Sequence, residues 1–419
     1  MKQLFALSSF HKQQGDKTPS DTKRTVVDYN PFLPEVQENP YPYYAYLREH
    51  APVYQVPGVG FWAVSRYDDV LSLLKNPHVF SSAGLLAVML GDLNPWVPEA
   101  PPLQSSDPPS HTRLRKLANR AFTPRRMLSI EAHLREVVQH LLEPISAQGT
   151  WDLVHDLAVP FPVIAIAELL GVPPERRHDF KQWTDAFVTA TKGAAVTPEE
   201  HQQTRQRFAE FRAYFQVAIE NCRKQPTDTL LSDLVRAEEE NQMLTAEEVL
   251  SLAVLVLVGG SETTTNLIGN AMLALLSHPQ QLAKVRADLA LVPQLVEETL
   301  RYDAPVQWSA RQTTQEVEIA GTTLSAGAVV LALFASTNRD ERKFPDPDHF
   351  DILRNTDGQL GFGYGIHFCL GAQLARLEAK IVLEALLERF PRLARTDAPI
   401  TPIESSFLRG LKSLPLVMR

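Results

Sequence analysis

The sequence predicts a mainly α-helical domain with a small β portion, built around one long central helix. Three observations carry that expectation. Helical periodicity dominates from about Ser110 to Ala290, as in "SIEAHLREVVQHLLEPI", where apolar residues recur three and four apart. Short β-type runs bracket that region on both sides. No internal repeat, low-complexity segment or convincing linker divides the chain, so residues 26–419 read as one domain, although 419 residues would also allow two.

In chain order, residues 1–25 hold too short an apolar stretch for a signal peptide, and polar residues follow it. They are expected to be loose. "PVYQV" and "FWAVS", joined by "PGVG" (Pro57 to Gly60), predict a β-hairpin. After the helices, "EVEIAGTTL" turns at Ala320-Gly321, and "AVVLALFAS" reads as a buried strand. Proline-rich loops such as "FPDPDHFD" lead to a glycine-rich stretch and a final helix ending near Phe390.

The central helix is bounded by local signals. Thr245-x-x-Glu248 is a capping box and Pro279 forbids much continuation, which predicts a helix from Ala246 to Ser277, roughly 48 Å long. Its middle, "GGSETTTN" (Gly259 to Asn266), opposes helix formation. Each glycine costs about 1 kcal/mol relative to alanine, and threonines are poor formers. One explanation is structural: glycines admit a neighbouring helix. The other is functional: glycines let a flat cofactor or small ligand lie against the helix. A threonine hydroxyl can then bend the helix by bonding the carbonyl one turn back. Glu262 beside Thr263 supplies an ionisable acid next to a hydroxyl, the parts of a proton relay.

The stretch "GFGYGIHFCLGAQLAR" places Cys369 just before a helical pattern. A helix N-terminus favours the thiolate, the form that acts as nucleophile or metal ligand. Gly365 and Gly371 would keep the approach free of side chains. A lone cysteine is otherwise a small buried hydrophobe. A catalytic thiol lacks a placed histidine and amide pair, and zinc would want more cysteines or a histidine cluster.

Phe362-Gly-Tyr-Gly365-Ile-His367-Phe-Cys369-Leu-Gly371 resembles the haem-binding signature of the cytochrome P-450 family, F-x-x-G-x-x-x-C-x-G, at all four fixed positions. "GGSETTT" resembles the family's central-helix motif, which implies an oxygen-binding groove at Gly259 and Gly260 with Glu262 and Thr263 as the catalytic pair. Glu298-Thr-Leu-Arg301 resembles the E-x-x-R motif. Alone that spacing is an ordinary helix-surface pair; between the other two motifs, with Arg354 as a third member, it implies a structural ion network. The resemblance spans roughly Asp28 to Arg419 and implies the P-450 fold, the long helix crossing over a haem b (iron protoporphyrin IX) whose axial ligand is the Cys369 thiolate. It also implies His111, Arg115, Arg311 and His367 as partners of the propionates.

The implied activity is insertion of one oxygen atom from O2 into a lipophilic substrate, by hydroxylation or epoxidation. Electrons would come from NAD(P)H through ferredoxin reductase and ferredoxin. Pocket residues implied by the resemblance are Leu85, Leu86, Val88, Val258, Val306, Gln307, Trp308, Phe407 and Leu408. They are mostly apolar, which favours tailoring of a polyketide, macrolide or terpenoid, with a fatty acid or steroid second. A peroxide-using peroxygenase or a haem sensor would not need the acid–alcohol pair. Arg113, Arg115, Lys116, Arg120, Arg125 and Arg126 form a run without acids, expected to dock an acidic ferredoxin.

Composition limits the alternatives. With 49 acidic against 41 basic side chains the net charge is −8, unlike a nucleic-acid binder. Two cysteines make no secreted disulfide framework, so a cytoplasmic location is expected. The strongest apolar run, Leu252 to Val258, falls far short of a membrane span, and a monomer without an anchor is expected.

Overall fold

The computed structural model describes residues 28–83, 93, 100–145, 149–190, 196–239 and 242–418. Residues 1–25, and Leu85, Leu86 and Val88, therefore lie outside the described residues.

The main helices are α1 (Tyr41–His50), α2 (Tyr67–Lys75), α3 (Ser110–Ala121), α4 (Pro124–Leu142), α5 (Pro160–Leu169), α6 (Arg177–Ala190), α7 (Pro198–Lys224) and α8 (Leu230–Arg236). They continue with α9 (Ala246–Ser277), α10 (Pro279–Ala287), α11 (Val292–Tyr302) and α12 (Ala372–Arg389). The expected central helix is α9, with the expected bounds. The Thr245 hydroxyl accepts from the Glu248 N–H at 3.2 Å and the Glu248 carboxylate from the Thr245 N–H at 2.9 Å, so two otherwise orphaned donors are satisfied reciprocally. By length and apolarity α9 could cross a bilayer, but 67% of its most apolar window is buried inside the protein. It packs against α5, α11 and α12 in the largest apolar core.

The β portion gathers around the ends of the chain. The hairpin forms as β1 (Val53–Gln55) and β2 (Trp62–Val64), with Val53 opposite Val64. Strand β3 is Phe80–Ser81, and β4 (Thr150–Asp152) interrupts the helical region. A short hairpin, β5 (Glu238–Glu239) and β6 (Gln242–Met243), precedes α9. After α11 come β7 (Ser309–Thr313), β8 (Val317–Ile319), β9 (Thr322–Leu324) and β10 (Val329–Ala332). The β8–β9 turn falls at Ala320 (φ 46°) and Gly321 (φ 79°), as the sequence suggests. The strand expected from "AVVLALFAS" is shorter: it ends at Ala332, and Phe334–Thr337 turns into helix. In the five-stranded sheet the order is β1-β2-β10-β7-β3, with β2 and β10 parallel.

Near the C-terminus, β11 (Leu393–Arg395), β12 (Thr401–Pro402), β13 (Leu411–Ser413) and β14 (Pro415–Met418) follow α12. β14 lies between β11 and β4, so the last strand closes back onto the helical region. A separate cluster of Tyr29, Tyr44, Trp308 and Leu331 packs the N-terminal segment onto the sheet.

Candidate active site

The middle of α9 divides its residues among different neighbours. A Cβ on Gly259 would meet nothing within 4 Å, whereas one on Gly260 would sit 2.6 Å from Ile166 Cδ1 of α5. Gly260 therefore serves the close approach of α5, the structural explanation, and Gly259 is the glycine that leaves open space. The three threonines diverge as well. Thr263 Oγ1 donates to the Gly259 carbonyl at 2.5 Å and Thr265 Oγ1 to the Ala158 carbonyl at 2.7 Å, while Thr264 faces Glu378 of α12. Burial raises the Glu262 carboxyl above its ordinary range; Asp185 of α6 adds to the effect and Lys181 opposes it. Lys181 and Asp185 pair with each other at 2.6 Å. Such a carboxyl holds its proton closer to neutral pH, as a proton carrier must.

Around Cys369 the backbone is tightly turned. Gly363 (φ 70°) and Gly365 (φ 73°) adopt conformations that favour glycine. A Cβ on Gly365 would lie 2.7 Å from the Leu74 carbonyl, so its reason is a close backbone contact rather than clearance beside the sulfur. Gly371, where a Cβ would meet nothing within 4 Å, does give clearance. The Cys369 N–H donates to the Phe362 carbonyl at 3.0 Å, fixing the loop. The helix begins at Ala372, and the Gly371 N–H donates toward the sulfur. Burial nevertheless pushes the thiol up, outweighing Gly371, Arg115 and Arg376. The expected thiolate preference is thus not supplied by the polypeptide alone; a bound metal cation deprotonates a coordinating thiol outright.

Four basic groups converge beside this loop. The His111 and His367 rings are 4.4 Å apart. Both His111 nitrogens and His367 Nε2 are buried without a hydrogen-bond partner. Burial first, then neighbouring guanidiniums, lowers His111 to about 4 and His367 to about 3. Arg311, on β7, is buried and lowered to about 10 by desolvation; Arg115 donates to the Phe368 carbonyl at 2.7 Å. Asp107, the acid that reaches this group, already accepts from Ser81 and from the Ser82 N–H at 2.9 Å. Orphaned buried nitrogens beside two guanidiniums are what a pair of carboxylates would satisfy, so these residues fit a haem and its propionates.

Behind the loop, Glu298 and Arg301 of α11 are fully buried, at 0% side-chain exposure each. They form a forked pair at 2.7 and 2.8 Å, and Arg354 lies 3.6 Å from Glu298. The ordinary helix-surface alternative fails on burial.

The pocket residues are less unified. Val258, Val306 and Leu408 are half-buried, and Val306 bridges to Leu408. Gln307 and Trp308 are withdrawn: Gln307 bonds Tyr44 and the Ala304 carbonyl, and Trp308 Nε1 donates to the Ser406 carbonyl at 2.6 Å. Phe407 packs edge-on against Trp308 at 6.0 Å. Trp308 and Phe407 lie in the N-terminal cluster, and Gln307 is tied to it through Tyr44. Within the basic run, Arg113 pairs with Glu248 and Arg126 with Asp228 and Asp233. Lys116, Arg120 and Arg125 lie on the surface.

Two residues were missed. Glu378 is fully buried on α12, with its carboxyl raised well above the ordinary range by burial; an acid on the apolar stripe Leu374, Glu378, Ile381 was its legible signal. Arg376 caps the Phe362 ring at 4.6 Å and pairs with Glu297 at 2.5 Å.

A sequence profile described as Cytochrome P450 matches residues 177–416. The chain is 42% identical over 407 residues to "Cytochrome P450 monooxygenase PikC" of Streptomyces venezuelae, covering 94% of each. It is 39% identical to "Vitamin D(3) 25-hydroxylase" of Pseudonocardia autotrophica, covering 91% of this chain and 94% of that one. The solved structure of CYP109Q5 from Chondromyces apiculatus superposes with a TM-score of 0.87 at 44% identity, covering 94% of this chain and 98% of that one.

Proposed function

Because the chain belongs to the cytochrome P450 family, we propose that it is a haem-thiolate monooxygenase of lipophilic substrates, with residues 26–419 as one domain and Cys369 as the iron ligand. The observation that carries this reading is the pair of imidazoles with unpartnered buried nitrogens, set with two guanidiniums beside a backbone-fixed cysteine. His111, Arg115, Arg311 and His367 would hold the propionates. When bound, haem b supplies dioxygen activation, fed by single electrons from NAD(P)H through ferredoxin reductase and ferredoxin.

The chain's own residues supply protons and orientation. Glu262 carries a proton at its carboxyl oxygens because burial raises its affinity for one. Thr263 Oγ1, which donates to the Gly259 carbonyl, would be the hydroxyl that passes the Glu262 proton on into the groove beside Gly259. Gly259 leaves room beside the helix. Lys116, Arg120 and Arg125 offer the exposed basic face for an acidic ferredoxin.

A polyketide, macrolide or terpenoid scaffold is the first substrate class; the similarity to a vitamin D(3) 25-hydroxylase supports a steroid-like scaffold as the second. The test is spectroscopic. Cys369→Ala removes the strongly red-shifted Soret band of the reduced carbonyl complex, and a variant that keeps the band overturns the assignment. In a reconstituted ferredoxin chain, Thr263→Ala continues to consume NADPH but releases peroxide instead of product. Unchanged coupling removes Thr263 from the relay, and a rate indifferent to ionic strength removes the basic docking face.

A further inference from the structure

We infer that Asp303, the first residue after α11, is a positioning residue: it fixes the Val306–Leu408 pair against α9 and so sets where a substrate's apolar body rests relative to Thr263. This rests on the monooxygenase reading. The pair itself is local. The Gln307 N–H donates to the Phe407 carbonyl and the Arg409 N–H to the Pro305 carbonyl, both at 2.8 Å. Val306 and Leu408 are therefore a directly opposed antiparallel pair with no hydrogen bond between them. In such a pair the two side chains lie close together on one face. Their neighbours Gln307 and Phe407 occupy the other face, one bonded to Tyr44 and the other packed on Trp308.

Those backbone bonds tie the two segments to each other; their place against α9 comes from Asp303 and Arg409. The Asp303 carboxylate accepts from Arg409 Nε at 2.6 Å and from the Tyr41 hydroxyl of α1. Side-chain exposures of 14% for Asp303 and 22% for Arg409 put the ion pair largely out of solvent, where a charged hydrogen bond is strong. Arg409 Nη1 also donates to the Glu38 carbonyl at 3.1 Å. Asn270, buried on α9, donates from its amide nitrogen to the Asp303 carbonyl at 2.9 Å and to the Arg409 carbonyl at 3.2 Å. Asp303 comes shortly before Val306 and Arg409 directly after Leu408, so this hub grips both segments beside the pair. Asn270 follows Thr263 by two turns of α9, about 20° away around the axis and roughly 10.5 Å along it. The stripe that carries the Thr263 hydroxyl thus continues into the residue that locates the pair. One turn before Asn270, a Cβ on Gly410 would collide with the Asn266 side chain, so the segment after Leu408 lies flush on the helix. Loss of the hub leaves the pair intact and lets it shift as a unit.

The test titrates the holoenzyme with imidazole and with 4-phenylimidazole, both read from the Soret shift. Imidazole reports the iron alone, and the phenyl group reports the apolar surface beside it. Asp303→Ala should lower the affinity for 4-phenylimidazole relative to imidazole by roughly fourfold or more, about one methylene's worth of apolar contact. Asn270→Ala, a favourable exchange within a helix, removes the grip from the other side. It should lower the ratio in the same direction, and it serves if Asp303→Ala folds poorly. Asp303→Asn keeps an acceptor oxygen for Tyr41 and Arg409 and should recover part of the loss. A purely structural role would weaken both ligands alike and leave the ratio where it was. A ratio unchanged or raised in either alanine variant that still binds imidazole overturns the inference. Failure of imidazole to shift the wild-type Soret band overturns the haem reading itself, and this inference with it.

Discussion

The buried pair on α11 sets a stability difference large enough to separate two accounts of Glu298-x-x-Arg301. Arg301 has five N–H donors, and all five are used: two on Glu298, two on the Asn338 and Pro347 carbonyls at 3.0 and 2.8 Å, and one on the His349 carbonyl at 3.2 Å. Arg301→Lys keeps the charge but offers three donors. At least two buried acceptors then lose their partner at about 1–3 kcal/mol each, a loss of roughly 2–6 kcal/mol. Glu298→Gln leaves a guanidinium buried without its counter-charge, costing about 3–5 kcal/mol. A solvated helix pair would be worth only about 0.3–0.5 kcal/mol. Against a total stability of about 5–15 kcal/mol, either substitution is severe. Urea unfolding of the holoenzyme followed by far-ultraviolet circular dichroism measures this on the backbone rather than on haem retention. A loss below about 1 kcal/mol for Arg301→Lys refutes the claim that the fork, beyond its charge, organises the loops after β10.

Two further substitutions follow from the same packing. Gly259→Ala should stabilise the protein by about 0.5–1 kcal/mol, whereas Gly260→Ala incurs about 1–3 kcal/mol of overpacking against Ile166, less that gain; Ile166→Val should relieve part of the second effect in a double-mutant cycle. Equal effects at the two glycines would contradict the division seen on α9. For Glu378, the folded carboxyl titrates above its ordinary value of 4.5. Its neutral form therefore favours the fold fully below that value, and stability is lost as pH rises toward the folded value. Glu378→Gln should be more stable than wild type at pH 8 than at pH 5, relative to wild type at each; a deficit equal at both pH values means the acid is ionised in the fold.

What was legible in the sequence was local. The capping box at Thr245 and the proline at 279 bound α9, and the Ala320-Gly321 turn and the first hairpin formed where expected. The loop around Cys369 and its four basic neighbours are nameable from motifs, but their convergence is visible only in three dimensions. What was not legible depended on distant partners. Adjacent glycines point about 100° apart around a helix, so Ile166 decides which is structural. Arg113 and Arg126 lose their freedom to Glu248, Asp228 and Asp233, more than 100 residues away. Gln307 and Trp308 look like pocket residues until their partners, Tyr44 and the Ser406 carbonyl, are seen to hold them elsewhere.

The parallel pairing of β2 with β10 has a consequence for synthesis of the chain. The first hairpin finishes at Val64, and the strand that covers its edge starts at Val329, about 265 residues later. At roughly 5–20 residues per second a ribosome needs about 13–50 s to bridge that gap. A two-stranded ribbon alone is marginal in water, so Trp62, Ala63 and Val64 wait through that interval as an unprotected sticky segment. Slower initiation or a co-translational chaperone should therefore raise the soluble yield of this polypeptide, an effect that pairing the β2 edge earlier would remove.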